Sequence, residues 1–270
     1  MLELKNVNYT VKTTQGDERP IFNQLSLSLV PHKLYGLLGV NGVGKTTFLN
    51  LISGLVAPTS GTVAFKTKDV YQSAKQRRDY LDQVGYCLQN PDSLFFNKTV
   101  LDELRYGAGA ASVENLIQQF ALKPLLTASP FELSGGQKKR LALAIMLKKQ
   151  PEILLCDEIT AGLDAHYRQF VLDLLKQYKR QHLTIWVTHD IDEAVAVSDE
   201  LLFIGHGRVQ KYPILAALRQ PAIFKHYHLR VPSQAAISKA LITQGLFTDQ
   251  QYYRSNQEIA AAITQIWKLR

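Results

Sequence analysis

A glycine-rich stretch near residue 40 has the residue types and spacing of a loop that binds phosphate, G-x-x-x-x-G-K-[ST]. Glycines let successive backbone N–H groups point at phosphate oxygens, and the helix that follows adds positive potential at its N-terminus. Lys45 would neutralise β- and γ-phosphate oxygens, and the Thr46 hydroxyl would bind Mg²⁺. The stretch therefore predicts a nucleotide site, whatever reaction follows binding. Its residues are Gly39, Val40, Asn41, Gly42, Val43, Gly44, Lys45, Thr46 and Thr47.

An acidic pair ends an apolar run farther along the chain. Asp157 and Glu158 follow the apolar residues 153–156, as in a strand that delivers a carboxylate to Mg²⁺ beside a phosphate loop. Neighbouring side chains at a strand end point in different directions. We therefore expect Asp157 to reach the metal and Glu158 to act as general base on an attacking water.

A second glycine pair lies in the pentapeptide Leu-Ser-Gly-Gly-Gln at residues 133–137, just before a helix-like run at 138–149. Ser134 stands where a helix N-cap would, and Gly135 and Gly136 leave backbone N–H groups open. Together with Gln137 these residues form a candidate second anion site. An ordinary helix start would use the same residues, so their chemistry alone leaves both interpretations open.

These motifs need a scaffold that brings strand ends and helix starts together. Strands alternating with helices from residue 151 onward predict a parallel, doubly wound α/β sheet. In it the phosphate loop would join the strand at 34–38 to a helix at 46–52. The other β-like runs, bounded by turn residues, lie at 2–7, 25–29, 62–65, 84–88, 153–156, 183–188 and 201–204.

Two predicted helices carry an apolar stripe at helical spacing, so each should pack one face on a core. The first begins near Val113, and the second occupies residues 165–180. After a turn at 205–208, the segment beyond about residue 220 is helical in pattern and has no further strands. The stripes are formed by Val113, Leu116, Ile117 and Phe120, and by Tyr167, Phe170, Val171, Leu174, Leu175 and Tyr178.

Composition places the chain among ordinary globular proteins. It has 270 residues, 46% hydrophobic and 20% charged, with a net charge of +8. The bases are scattered in twos and threes without interleaved aromatics, so we expect solvated helix faces and no specific nucleic-acid partner. The apolar runs are shorter than the roughly 18 to 20 residues of a membrane span, and the N-terminus lacks signal-peptide features, which favours a cytoplasmic protein. Cys87 and Cys156 lie in apolar runs and are expected in the core without a disulfide.

The pentapeptide at 133–137 resembles the signature of ATP-binding cassette (ABC) proteins, and the other motifs follow that family's order over about residues 1–215. The resemblance implies an α/β fold of the P-loop NTPase type with an N-terminal antiparallel β subdomain and an inserted helical subdomain. It implies an ABC domain at residues 1–218, with the helical subdomain at about 92–148. Residues 219–270 would form a C-terminal helical extension.

The same resemblance implies an ATPase that works as a dimer, because the signature of one subunit caps the γ-phosphate held by the other. Gln89 would contact Mg²⁺ and water, Asp164 would lie at the dimer interface, and His189 would be the switch histidine at the γ-phosphate. Tyr9 would stack on adenine, although a half-buried strand tyrosine is an alternative. One departure is Ile159, where the family commonly has proline, which is expected to loosen the loop toward Asp164.

Two further stretches are similar to the energy-coupling factor ATPases, which serve importers of vitamins and cobalt. They are residues 89–107 and the tail around 223–232. This similarity implies a second ATPase subunit, identical or related, a transmembrane coupling subunit and a small membrane protein that captures the substrate. The chain would then lie peripherally on the cytoplasmic face of the cell membrane, with ATP and Mg²⁺ as its ligands.

Three alternatives stay open at this point. The phosphate loop also resembles that of exporter-type ABC ATPases. Non-transport ABC proteins typically carry long coiled coils or two cassettes, neither of which this sequence has. A soluble small-molecule kinase with a phosphate loop would leave the pentapeptide at 133–137 without a role.

Overall fold

The computed structural model describes residues 1–12, 17–107 and 113–268, which form two β-sheets with helices around them. The smaller sheet is antiparallel, with strand order β2-β1-β4-β5. It is the predicted N-terminal β subdomain, and its strands are longer than the apolar runs indicated. They are β1 (Leu2–Lys12), β2 (Glu18–Leu29), β4 (Ser60–Phe65) and β5 (Lys68–Asp69).

The larger sheet has six strands in the order β10-β9-β3-β8-β7-β6. Its first five strands along the chain pair in parallel, as the alternation of strands and helices predicts. The strands are β3 (Lys33–Leu38), β6 (Val84–Cys87), β7 (Ile153–Asp157), β8 (Leu183–Val187), β9 (Glu200–Gly205) and β10 (Arg208–Pro213).

The last strand, β10, is absent from the sequence prediction and pairs antiparallel with β9 at the sheet edge. Val209 is the one buried residue of β10. Most of this strand faces solvent, because an edge strand has a neighbouring strand on one side only. A strand with so little apolar alternation gives no period-two signal. Because β10 runs antiparallel to β9, the sheet is mixed rather than wholly parallel.

Helices cover both faces of the larger sheet and fill the C-terminal region. Within the described ranges, none has the length and apolar character needed to cross a membrane. The helices are α1 (Lys45–Ser53), α2 (Ala74–Leu81), α3 (Val100–Arg105), α4 (Glu114–Gln119), α5 (Gly135–Lys148), α6 (Ala165–Tyr178), α7 (Ile191–Val197), α8 (Ile214–Arg219), α9 (Ala222–His226), α10 (Ser233–Thr243) and α11 (Asn256–Lys268).

Three large apolar clusters hold these layers together. The first lies between the two sheets and includes Phe48 and Leu49 of α1. The second lies under the helices of residues 100–148 and takes in α6, whose predicted stripe is buried at Val171 and Leu175. The third joins the sheet to the C-terminal helices, with Phe224 fully buried. The strand ends that carry the candidate site residues are therefore held by apolar packing on both faces of the larger sheet.

The two cysteines are buried free thiols, as predicted. Cys87 and Cys156 are register partners on the adjacent strands β6 and β7. Burial raises the pKa of the Cys156 thiol, so this sulfur remains protonated and apolar in the core.

Candidate functional site

The phosphate loop connects the buried strand β3 to helix α1. Gly42 and Gly44 have φ angles of 74° and 110°, in the left-handed region that glycine adopts at little cost. The Lys45 side chain is 8% exposed, and its ammonium donates to the carbonyl oxygens of Gly39 at 2.9 Å and Val40 at 3.1 Å. The Lys45 ammonium is therefore hydrogen-bonded to the backbone of the phosphate loop, and its positive charge lies within that loop.

Burial lowers the pKa of Lys45, while the nearby carboxylates Glu158 and Asp157 act against that shift. In this position the Lys45 ammonium has lost most of its hydration. Backbone carbonyls and two nearby carboxylates replace the water. A polyanion entering the loop would supply stronger acceptors than the carbonyls do. The loop is therefore suited to exchange its internal hydrogen bonds for phosphate oxygens.

The acidic pair lies at the end of β7 beside this loop. Asp157 is buried, and one of its carboxylate oxygens accepts a hydrogen bond from the Thr46 hydroxyl at 3.2 Å. Burial raises the pKa of Asp157, with the Thr46 hydrogen bond opposing the shift. Glu158 follows with φ of 51°, so the strand ends there and the chain turns. Asp157 therefore contacts the phosphate loop, whereas Glu158 lies on the turn that leaves the strand.

Gln89 and His189 both contact Glu158. The Gln89 amide nitrogen donates to Glu158 Oε2 at 2.9 Å, and His189 Nε2 lies 2.5 Å from Glu158 Oε1. Gln89 comes shortly after β6 and His189 shortly after β8, the strands on either side of β7. Three adjacent parallel strands thus bring these residues together at their carboxyl ends, where ligands bind in open α/β sheets.

One cavity of about 560 Å³ collects the phosphate loop, the acidic pair, Gln89 and His189. Its walls are mainly polar, with one buried ammonium among several hydrogen-bonding groups. It is lined by Asn41, Gly42, Gly44, Lys45, Thr46, Thr47, Gln89, Asp157, Glu158 and His189. Ten residues that the sequence singled out therefore meet in one place.

The signature pentapeptide lies elsewhere on the same chain. Ser134 caps α5 in a reciprocal capping box: its hydroxyl accepts from the Gln137 N–H, and the Gln137 side chain accepts from the Ser134 N–H. Ser134, Gly135, Gly136, Gln137 and Asp164 line a cavity of about 500 Å³ that shares no lining residue with the phosphate cavity. The predicted site residues therefore divide into two groups within one chain.

Tyr9 joins neither group. It lies on β1 opposite Phe22 of β2 and packs, partly buried, against the core between the sheets. Gly39, Val40 and Val43 belong to the phosphate loop without lining its cavity, and Val43 packs against the same core. The adenine contact assigned to Tyr9 stays a prediction.

Lys139 is a residue that motif reasoning missed. Its ammonium, on α5 just after the signature, donates to the carbonyls of Glu158 at 2.9 Å and Ala161 at 2.6 Å. Burial lowers the pKa of this lysine, with Glu158 opposing the shift. One side chain thus holds both ends of the turn that follows the acidic pair, which also includes the buried Ile159. No sequence pattern marks such a contact, because its acceptors are backbone carbonyls.

Lys139→Met should lower the ATPase kcat by about tenfold while the Kd for ATP stays unchanged. The substitution removes the two hydrogen bonds that the ammonium donates to the turn, and a hydrogen bond to a charged group is worth about 1.5–3 kcal/mol. Glu158 would then sample other positions, whereas the phosphate loop is untouched. Steady-state kinetics and equilibrium nucleotide binding separate these quantities. Lys149→Met, an exposed lysine that follows the same helix, is the matched control, and a normal kcat in Lys139→Met would refute the expectation.

A phosphate loop, an acid-ended strand of the same sheet and a polar cavity at the carboxyl ends of its parallel strands define a P-loop nucleoside triphosphatase. The family comparison makes the class specific: residues 22–161 match the model of the ABC transporter family. The chain belongs to the ABC transporter family as an ATP-binding subunit.

Individual relatives agree with this membership. The energy-coupling factor transporter ATP-binding protein EcfA2 of Streptococcus pyogenes is 30% identical over 264 residues, covering 91% of this chain and 92% of the relative. The structure of cbiO1 from Clostridium perfringens, part of the ABC transporter complex cbiONQ, has a TM-score of 0.69 at 27% identity, covering 88% of this chain and 98% of that one. The predicted resemblance to energy-coupling factor ATPases is thereby confirmed.

A third relative bears on the reaction. The dimeric structure of an ATP-binding cassette in a post-hydrolysis state, bound to ADP and phosphate, has a TM-score of 0.72 at 26% identity, covering 79% of this chain and 99% of that one. The fold class predicted from the sequence is confirmed by this likeness and by that to cbiO1. The chain is an ATP-hydrolysing subunit of an ABC transporter.

Proposed function

We propose that this chain energises an energy-coupling factor importer of a vitamin or metal ion. The observation that carries the proposal is the likeness to EcfA2, which covers 91% of the chain and so reaches into the C-terminal region. In this proposal residues 1–218 form the ABC domain, with a helical subdomain at about 92–148, and residues 219–270 form the extension. Residues 13–16, 108–112 and 269–270 of these segments lie outside the described ranges.

The phosphate loop holds ATP in this proposal, with Lys45 on the β- and γ-phosphates and the N–H groups of residues 39–47 around them. Glu158 accepts the proton of the attacking water as general base. His189, within hydrogen-bonding distance of Glu158 Oε1, orients that carboxylate and contacts the γ-phosphate. Tyr9 stacks on the adenine.

Thr46, Gln89 and Asp157 suit a hard cation. They offer a hydroxyl, an amide oxygen and a carboxylate, the oxygen ligands that Mg²⁺ prefers alongside phosphates. The buried Asp157 carboxylate, whose pKa burial raises, would gain from a cation beside it. When bound, Mg²⁺ would neutralise charge on the β- and γ-phosphate oxygens.

The separation of the two cavities supports a dimeric ATPase. Residues 134–137 and Asp164 share no cavity with the chain's own phosphate loop, and no atom of the residues that the structure describes lies within 4 Å of a Cβ placed on Gly135. Such an open anion site suits the γ-phosphate held by a second subunit. ATP would then favour the closed dimer by its greater affinity for that state.

Two inactive variants, Lys45→Ala and Gly135→Asp, should restore ATPase activity to each other when mixed. A mixed pair contains one site with both the loop and the signature intact. Random pairing makes half of the dimers mixed, each with one intact site of two, so we expect about a quarter of the wild-type activity. The added aspartate repels phosphate but has room, so each chain still folds.

Activity of the mixture is measured against each variant alone at the same total concentration. A mixture of Lys45→Ala with Glu158→Gln serves as the control, because one site then retains an intact loop and signature but lacks the general base. No restoration in the first mixture would contradict self-pairing and would point to a related second ATPase chain.

The membrane partners in this proposal are a transmembrane coupling subunit and a small substrate-capture protein, with the chain bound peripherally at the cytoplasmic face. Phe96 and Tyr106 are each 62% exposed and pack edge to face at 4.6 Å between ring centroids. These rings follow Gln89 in the sequence and offer an apolar surface for a partner. Specific nucleic-acid binding forms no part of the proposal.

Affinity purification of tagged protein from detergent-solubilised membranes of the host, followed by mass spectrometry, tests this proposal. Recovery of a coupling protein and a small capture protein supports the importer and identifies its substrate system. A two-subunit exporter channel would reverse the direction of transport, and recovery of no membrane protein would refute the transport partners.

A further inference from the structure

Helix α7 begins two residues after His189 and lies between the larger sheet and the C-terminal helices. Its buried residues Ile191, Ala194 and Val195 share one apolar cluster with Phe224 and Ala235 of the C-terminal region. The segment that carries His189 therefore packs directly on residues outside the ABC core. Polar contacts at both ends of α7 add to this packing.

At the first end of α7, the C-terminal region contacts Asp190 and Asp192. Arg230 Nη1 donates to Asp192 Oδ2 at 3.0 Å, and its Nη2 lies 3.8 Å from Asp190 Oδ1. The other Asp192 oxygen accepts from the Ser233 N–H at 2.7 Å, and the Gln234 side chain donates to the Asp192 carbonyl at 3.1 Å. Three residues of the C-terminal region thus hold the two aspartates next to His189.

Arg168 of α6 contacts the same end from the opposite side. Its guanidinium lies 2.8 Å from Asp190 Oδ2 and 2.5 Å from Glu193 Oε1. Asp190 therefore lies between Arg168 of the ABC core and Arg230 of the C-terminal region. The carboxylate next to His189 in sequence also caps α7, accepting from the Glu193 N–H at 3.0 Å, so the two arginines hold the capping residue of this helix.

At the last end of α7, Arg254 is the partner. Its Nε donates to the Val195 carbonyl at 3.5 Å and its Nη2 donates to the Ser198 carbonyl. The last carbonyls of a helix have no partners within it, and a cation there is favourable. Two arginines of the C-terminal region, Arg230 and Arg254, thus hold the two ends of one short helix.

The position of His189 depends on this arrangement because its side chain is 49% exposed and is not enclosed by the core. Its place over Glu158 is therefore set by the backbone of β8 before it and α7 after it. Arg230 also lines a cavity of about 330 Å³ together with Glu158 and His189. The C-terminal region thus reaches the edge of the candidate catalytic site.

We propose that the C-terminal extension positions the switch histidine by holding α7 at both ends, with Arg230 and Arg254 as positioning residues. The inference rests on the proposed catalytic role of His189. Loss of either arginine lets α7 move, and His189 then leaves the place from which it orients Glu158. ATP affinity changes little, because it depends chiefly on the phosphate loop and Lys45, which these substitutions leave in place.

Arg230→Met and Arg254→Met test the proposal through steady-state ATPase kinetics and hydrogen exchange of the α7 amides. Exchange in α7 should be about two- to fivefold faster in Arg230→Met, whose ion pairs are partly exposed, and about tenfold faster in Arg254→Met. The kcat should fall about three- to tenfold with KM for ATP unchanged, because small misplacements of catalytic groups are costly. Arg230→Lys should recover most of the loss.

The matched control is Arg219→Met, which removes an exposed arginine of the same region that donates to the Gln250 carbonyl and does not contact α7. Normal kcat and normal α7 exchange in Arg230→Met would overturn the proposal, as would a lower Tm alone. Should Arg254→Met fail to fold, the half-exposed Arg230 decides the question. His189→Ala, measured in parallel, separates the role of His189 from that of the arginines. Wild-type turnover in His189→Ala would refute the role of His189 itself. Slow turnover in His189→Ala with normal turnover in the arginine variants would refute only the positioning by the C-terminal extension.

Discussion

Glu158→Gln is expected to reduce ATP turnover by about a thousandfold while leaving ATP binding intact, since general bases contribute about 10² to 10⁴ in rate. The amide matches the carboxylate in shape, and its oxygen can still accept the hydrogen bond from Gln89. It cannot take a proton from water. ATP should therefore bind, close the dimer and remain unhydrolysed.

Three measurements together make this prediction specific: single-turnover hydrolysis, equilibrium ATP binding, and size-exclusion chromatography with ATP to detect a stable dimer. Glu152→Gln is the matched control, because Glu152 immediately precedes the same strand and pairs at the surface with Lys66. Hydrolysis by Glu158→Gln near the wild-type rate would remove Glu158 from the base role, leaving the fold and the nucleotide site as described.

The phosphate loop and the acidic pair could be located from the sequence because their signals are local. A buried strand, a glycine loop and a helix start are consecutive, so the place of Lys45 beside β3 and α1 follows from a single stretch. The same holds for Asp157 at the end of an apolar strand. The left-handed backbone of Glu158, with φ of 51°, has no such signal, because glutamate adopts it only where its surroundings impose it.

The contacts of Glu158 depend on strand order, which is not local. Gln89 and His189 reach it only because β6 and β8 flank β7, and the sequence pointed to them through family resemblance alone. Lys139 shows the same limit, since its acceptors are carbonyls 19 and 22 residues away. Backbone oxygens look alike in every sequence, so the residues that hold a turn in place emerge only from the folded chain.

The second large effect is expected for Lys45→Ala, which should weaken ATP binding itself by at least about thirtyfold. Losing one partner of a buried charge pair costs about 2–5 kcal/mol. In this loop the loss acts twice: the phosphates lose their cation, and Asp157 and Glu158 lose the positive charge that offsets them. Two uncompensated carboxylates would then repel the incoming polyanion.

Equilibrium titration with a non-hydrolysable ATP analogue measures this effect apart from turnover, and Lys68→Ala, at an exposed position on β5, is the matched control. Undiminished binding by Lys45→Ala would overturn the phosphate-loop assignment. Comparing Lys45→Ala with Glu158→Gln tests the whole site more sharply than either variant alone. One variant should lose binding and the other only the chemical step, because the ammonium and the carboxylate line the same cavity but act on different parts of the same reaction.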